Sequence, residues 1–86
     1  MLTNIEELKG SLLKTTIDQS TIAYEIIFGS IPHPYWKFFS KNQLFIILDI
    51  VIIDKIYKFI MLLTTHKTNL YILLSDFEKL EFEILN

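Results

Sequence analysis

The chain has 86 residues, of which 51% are hydrophobic and 21% charged, with no cysteine and a formal net charge of −2. This length is below that of an average domain, so we expect residues 1–86 to form a single domain around one core. These values exclude a two-lobed enzyme with a cleft between domains. The absence of cysteine excludes disulfide bonds and thiolate metal sites.

The hydrophobic content is high for so small a chain, which buries only roughly 60–65% of the surface that its unfolded form exposes. A mean hydropathy of +0.39 therefore predicts an apolar patch that another surface covers. Part of the content indicates an AT-rich genome, because 15 isoleucines and 13 leucines stand against one valine and one alanine, and all eight basic residues are lysine. Isoleucine is accordingly given less weight as evidence for strands.

The N-terminal segment is predicted to form a helix over about 4–14. Thr3 and Glu6 have the spacing of a capping box, in which a hydroxyl and a carboxylate each accept a hydrogen bond from the other residue's backbone amide. Ile5 and Leu8 then continue at helical intervals.

A second helix is predicted over 17–28. Thr15 and Asp18 repeat the capping spacing, and Gly29 supplies the left-handed residue that often follows a helix. Two prolines predict a loop over 30–34.

No glycine or proline occurs in the 52 residues after Pro34, which indicates few sharp turns and long elements. The aromatic cluster 35–39 is predicted to begin a short helix, and 16 of the 20 residues in 44–63 are apolar, as in a nearly buried helix. Ser75 and Glu78 form a third capping pair. The resulting fold class is all-α, a small helical bundle of four to five helices.

An α+β domain is the alternative, with strands near 44–53, 70–74 and 80–85. Residues 79–84 alternate between charged and apolar, as a half-buried strand does. The helical interpretation is favoured by the capping pairs, the missing turn residues and the discounted isoleucine signal.

No residues form a pattern for catalysis, a cofactor or a metal, and an enzyme is not expected. His33 and His66 lie far apart and outside any metal-ligand spacing. The carboxylate pairs lie in segments of mixed charge, typical of a solvated surface. Gly10 and Gly29 stand alone, so no phosphate-binding loop is present.

Two features point to partner binding. Tyr35, Trp36, Phe38 and Phe39 lie together, and large rigid side chains of this kind give much contact area at low entropic cost. Asp49 interrupts an apolar decamer, where a buried carboxylate without a partner costs several kcal/mol. It is therefore expected to be paired with a lysine or a tyrosine hydroxyl, or to lie at an interface.

Residues 17–23, Ile-Asp-Gln-Ser-Thr-Ile-Ala, resemble the start of the recognition helix in helix-turn-helix repressors. The resemblance implies a DNA-binding regulator. The next five residues contain no lysine or arginine to contact phosphates and the net charge is negative, so nucleic acid is not the favoured partner.

Membrane association is possible but not favoured either. Asp54 and Lys55 in the middle of the apolar segment 44–63 oppose insertion of a spanning helix by about 5–7 kcal/mol. The N-terminal residues 1–7 are acidic and lack lysine, unlike a secretory signal, so the cytoplasm is the expected compartment.

The sequence therefore predicts a small non-catalytic protein-binding module, such as a subunit, adaptor or inhibitor. Its partner is expected to be another protein or a second copy, with a homodimer the simplest arrangement. The alternatives are a small membrane-associated subunit of a larger complex and a helix-turn-helix-like DNA-binding regulator.

Overall fold

A computed structural model describes residues 5–27 and 31–85 of the chain, without the side chains of Ile5 and Glu6. It is mostly antiparallel β-sheet. The predicted all-α helical bundle is therefore wrong.

The sheet has seven strands in the described residues, and a short helix precedes its last strand. The strands are β1 (Leu12–Thr15), β2 (Gln19–Glu25), β3 (His33–Phe39), β4 (Leu44–Ile53), β5 (Tyr57–Thr64), β6 (Asn69–Leu73) and β7 (Phe82–Ile84). A 3-10 helix, Ile5–Leu8, precedes β1, and helix α1 (Leu74–Phe77) follows β6. The strand order is β3-β2-β6-β5-β4-β1-β7, and all neighbours are antiparallel.

Each long predicted helix is replaced by strands. The segment 4–14 holds the 3-10 helix and most of β1, 17–28 holds β2, 35–39 lies in β3, and 44–63 forms the hairpin β4–β5. The α+β alternative placed strands close to β4, β6 and β7 but omitted the other four.

The strand β4 shows why these residues form a sheet. Phe45 and Ile47 are buried while Ile46 and Leu48 are exposed, so successive side chains lie on opposite faces. The pairing with β5 shifts register between Ile47 and Asp49, which makes Leu48 the extra residue of a β-bulge.

The turns of the second half use residues other than glycine and proline. Between β4 and β5, Asp54 and Lys55 both have positive φ, 53° and 59°, and the Ile56 N–H donates to the Ile53 carbonyl over 3.2 Å. This is the pattern of a type I′ hairpin turn. Lys67, with φ 61°, ends the turn between β5 and β6. Because neither turn contains glycine or proline, the usual turn residues do not mark them in the sequence.

The second predicted cap holds two loops together. The Thr15 hydroxyl donates to the Ser40 carbonyl over 2.6 Å and accepts from the Gln43 N–H over 2.8 Å. The Asp18 carboxylate accepts from the Lys41 N–H over 2.7 Å. These polar side chains therefore join the β1–β2 connection to the β3–β4 connection instead of capping a helix.

The other predicted caps have different outcomes. Ser75 lies inside the four-residue helix α1, whose N-cap is Leu73 with no side-chain hydrogen bond, so the pair Ser75 and Glu78 is not a capping box. Thr3 and Gly29 lie outside the described residues.

The chain connections force the sheet to curl. The strands β1 and β2 lie four places apart in the sheet, a distance of about 19 Å if the sheet were flat. Thr15 and Gln19 are only four residues apart, which spans at most about 14 Å. The sheet therefore bends into a trough that brings these strand ends together.

The concave face of the trough encloses the core. Phe39 on the edge strand β3 contacts Phe45 on β4, with ring centroids 4.8 Å apart, although three strands separate them in the sheet. Phe77 of α1 stacks on Phe82 of β7 at 5.1 Å and closes one end of the core. The buried core residues are Leu13, Ala23, Phe39, Phe45, Ile47, Ile60, Leu62, Leu70, Ile72 and Phe77.

Candidate interaction surface

The strand β3 divides the predicted aromatic cluster between the two faces of the sheet. Phe39 is fully buried in the core, so it is not available for a partner. Trp36 lies opposite Ile22 of β2, and Phe38 lies opposite Ser20. Because side chains alternate along a strand, Trp36 and Phe38 lie on the outer face, away from the core.

Four large hydrophobic side chains are exposed along β3 and just before it. The exposed fractions are 81% for Ile31, 39% for Tyr35, 75% for Trp36 and 58% for Phe38. We call these four residues the edge patch. Since β3 is the last strand on its side of the described sheet, the patch lies at a sheet edge.

Tyr35 is the least exposed member of the edge patch. Partial burial raises the pKa of its hydroxyl, and the nearby Glu25 carboxylate raises the pKa further. The phenol is therefore neutral near pH 7 and carries a hydroxyl that can donate a hydrogen bond to a partner.

Tyr35 lies opposite the buried Ala23 and is therefore on the concave side of the strand, whereas the outer face continues beyond Trp36 and Phe38 as an apolar surface. Phe59 of β5 is buried but is not part of the core cluster. Its ring packs edge-on against Tyr24 of β2, with ring centroids 5.2 Å apart. Tyr24 lies opposite Tyr71 of β6, and Tyr71 lies opposite Met61 of β5. The sheet thus carries the main core on its concave face and a smaller apolar cluster around the buried Phe59 on its outer face.

An open depression of about 410 Å³ adjoins Trp36. Its apolar part consists of Ile17, Ile22, Trp36 and Leu80, and charged residues from the segment around α1 border it. An apolar centre with a polar rim is the usual anatomy of a protein interface. The charged residues of the border are Asp76, Lys79 and Glu81.

Gln19 fixes one side of this depression. Its amide nitrogen donates to the Glu81 carbonyl over 3.0 Å, and its amide oxygen accepts from the Glu81 N–H over 2.9 Å. The paired bonds hold the start of β2 against the segment before β7, so the depression has a defined wall.

Asp49 does not join the edge patch. It lies on β4, opposite Met61, with three strands between β4 and β3. Its carboxylate forms an ion pair with Lys9 at 2.9 Å and accepts from the Ile50 N–H at 2.8 Å. The hydrogen bond from Lys9, the bond from Ile50 and the positive charge of Lys9 lower the pKa of Asp49. The expected pairing partner is thus a lysine and not a tyrosine.

Two residues of this surface were not found from the sequence. Ile22 lies within the predicted helix 17–28, whereas strand alternation over 19–25 places it on the outer face with Tyr24. Ile31 fell within a predicted loop, where exposure of one apolar side chain has no sequence signal.

The two histidines lie on different elements. His33 lies at the start of β3 and His66 in the β5–β6 turn. Within residues 5–27 and 31–85, no group of three or more His, Cys, Asp or Glu side chains is placed to hold a metal ion. The same ranges contain no helix with the length and apolarity needed to cross a membrane. Residues 17–23, which resemble a recognition helix, form a loop and most of β2, so the implied helix is wrong.

Comparison of the chain with protein-family models, curated proteins and solved structures gives no significant match.

Proposed function

We propose that the protein is a non-catalytic protein-binding module that uses the edge patch and the depression beside it. The observation that carries the proposal is the exposure of Trp36, three quarters of whose surface is open although it lies in a regular strand. A solvent-exposed indole makes few of the van der Waals contacts that its large surface allows. Tryptophan is also among the residues most enriched at binding hot spots.

The surroundings of Trp36 support binding to a protein rather than to a small molecule. The depression is open to solvent, whereas small-molecule sites enclose most of their ligand. Asp76, Lys79 and Glu81 offer both signs of charge at its border. Such a rim selects and orients a partner, while the apolar centre supplies the affinity.

Affinity capture from the native source, with quantitative mass spectrometry, tests the proposal. The bait is the wild-type chain, a Trp36→Ala, Phe38→Ala variant, or Ile56→Ala as the matched control. Ile56 is equally exposed, at 76%, but lies in the β4–β5 turn. We expect the double variant to lose captured partners by at least about 30-fold, as removal of a hot spot does.

The control variant should capture the same proteins as wild type. Circular dichroism and urea unfolding check that both variants fold. We expect them to fold because the substituted side chains are exposed. Equal capture by wild type and the double variant would contradict the proposed surface.

A further inference from the structure

We infer that the partner of the edge patch is a second copy of this chain, bound by antiparallel pairing of β3 with β3 about a twofold axis. The inference rests on the proposed function, because it names the partner of the same surface. The two sheets would then join into one continuous sheet across both copies, and Trp36 would lie at its centre.

The two edges of the described sheet differ in a way that favours β3. The strand β7 has only three residues, and short edge strands are one means by which proteins avoid edge pairing. The strand β3 has seven residues, and no described strand pairs with its outer side. A long edge with exposed apolar side chains is a template for another strand, although Pro34 and Lys37 of β3 are of the residue types that weaken edge pairing.

The β3 edge of a second copy is complementary to this edge through its backbone alone. Each strand edge presents alternating N–H and C=O groups, and a twofold axis places the donors of one copy opposite the acceptors of the other. Pro34, which lacks an N–H, lies near one end of β3 and shortens the available ladder without interrupting its centre.

The side chains favour a register centred on Trp36. In that register Trp36 lies opposite Trp36 of the second copy, Pro34 opposite Phe38, and Lys37 opposite Tyr35. A register centred on Lys37 would place two lysines directly opposite each other, which is destabilising. The Trp36 register instead sets an ammonium group beside an aromatic ring.

The exposed side chains of the edge patch supply somewhat more than half of the area that a standard interface buries on each partner. A large side chain presents about 150–250 Å², so the exposed fractions of the edge patch amount to on the order of 500 Å². A standard interface buries about 800 Å² on each partner. The strand backbone with His33, Pro34 and Lys37 contributes to the remainder.

Sedimentation velocity over the low to high micromolar range provides the first test. We expect the wild-type chain to form a dimer that dissociates on dilution. Trp36→Glu places a carboxylate at the twofold axis and should raise the dissociation constant at least about 30-fold. Ile56→Glu, an equal change of charge in the β4–β5 turn and outside β3, should leave the dimer unchanged.

Cross-linking tests the register and retains Trp36. The chain has no cysteine, so single cysteines report only contacts between copies. A mixture of Tyr35→Cys and Lys37→Cys chains should form a covalent dimer on mild oxidation, because directly opposite residues lie within disulfide reach. Either variant alone should cross-link far less, since like positions are offset along the strands.

The outcomes separate this inference from the proposed function. A monomer at every concentration, with Trp36-dependent capture of other proteins, would overturn the dimer and leave the binding surface intact. A monomer with no Trp36-dependent capture would overturn both. A dimer that Trp36→Glu leaves unchanged, in a folded variant, would also overturn the inference.

Discussion

Asp49 and Trp36 both lie on the outer face of the sheet, yet they have opposite surroundings. The Asp49 carboxylate has the Lys9 ammonium and a backbone N–H as partners. Its charge is therefore compensated although the strand around it is apolar. The Trp36 ring has most of its surface open. A charge amid apolar residues can thus be structural, while the feature that indicates function is an apolar ring without cover.

The pairing of Asp49 predicts a pH dependence of stability. A carboxyl whose pKa is lower in the folded state contributes stability above its unfolded pKa of about 4. That contribution is lost as the pH falls through the folded pKa. Both side chains are about half exposed, so water and salt screen the pair and the contribution is small.

Urea unfolding of wild type and Asp49→Asn as a function of pH measures this contribution. We expect Asp49→Asn to be less stable than wild type at pH 7 and the gap to close as the pH falls below about 4. Added salt should narrow the gap at pH 7. A gap that is constant across the pH range would show that the Asp49 charge does not stabilise the fold.

At the scale of elements, the fold depends on turns whose residues are unusual for their conformation. Lys55 is in the left-handed region, which costs an L-residue roughly 1–2 kcal/mol relative to the right-handed one. Glycine avoids this cost but loses about 0.5–1 kcal/mol through the greater freedom of the unfolded chain. The balance favours glycine at this position.

Lys55→Gly is therefore expected to raise the free energy of unfolding by about 0.5–1 kcal/mol. Thr65→Gly is the matched control, because Thr65 lies in the β5–β6 turn and is not among the residues with positive φ. It should lower the free energy of unfolding by a similar amount. Urea denaturation measures both, and a loss of stability in Lys55→Gly would contradict the type I′ assignment.

The same turns explain how much of the fold could be predicted. The alternation in 79–84 indicated the strand that became β7, and the apolar run 44–53 allowed a buried strand. The helical interpretation was favoured over both by the capping pairs, the missing turn residues and the discounted isoleucine signal, and the turn at Asp54 and Lys55 indeed contains neither glycine nor proline. Capping spacings misled for a related reason: Thr15 and Asp18 bond to backbone groups that are distant in sequence.

The aromatic cluster was found from the sequence, but its division between two faces follows only from the strand period.

At the scale of the whole molecule, the high apolar content belongs to two faces of one sheet. The curl encloses a core on the concave face, and a chain of 86 residues has no second layer among its described elements to cover the outer one. Small domains have much surface for their volume, so one layer with two apolar faces remains only partly covered. The proposed pairing of two copies along β3 would cover the edge patch.

The fluorescence of Trp36 tests the dimer most directly, because it is the chain's single tryptophan and lies at the proposed twofold axis. Its emission maximum and acrylamide quenching should be measured over a dilution series, with Ile56→Glu as control. We predict blue-shifted, protected emission at high concentration that becomes red-shifted and accessible on dilution, in step with the dimer dissociation seen by sedimentation. Emission of a water-exposed indole with unchanged quenching at every concentration would contradict the account.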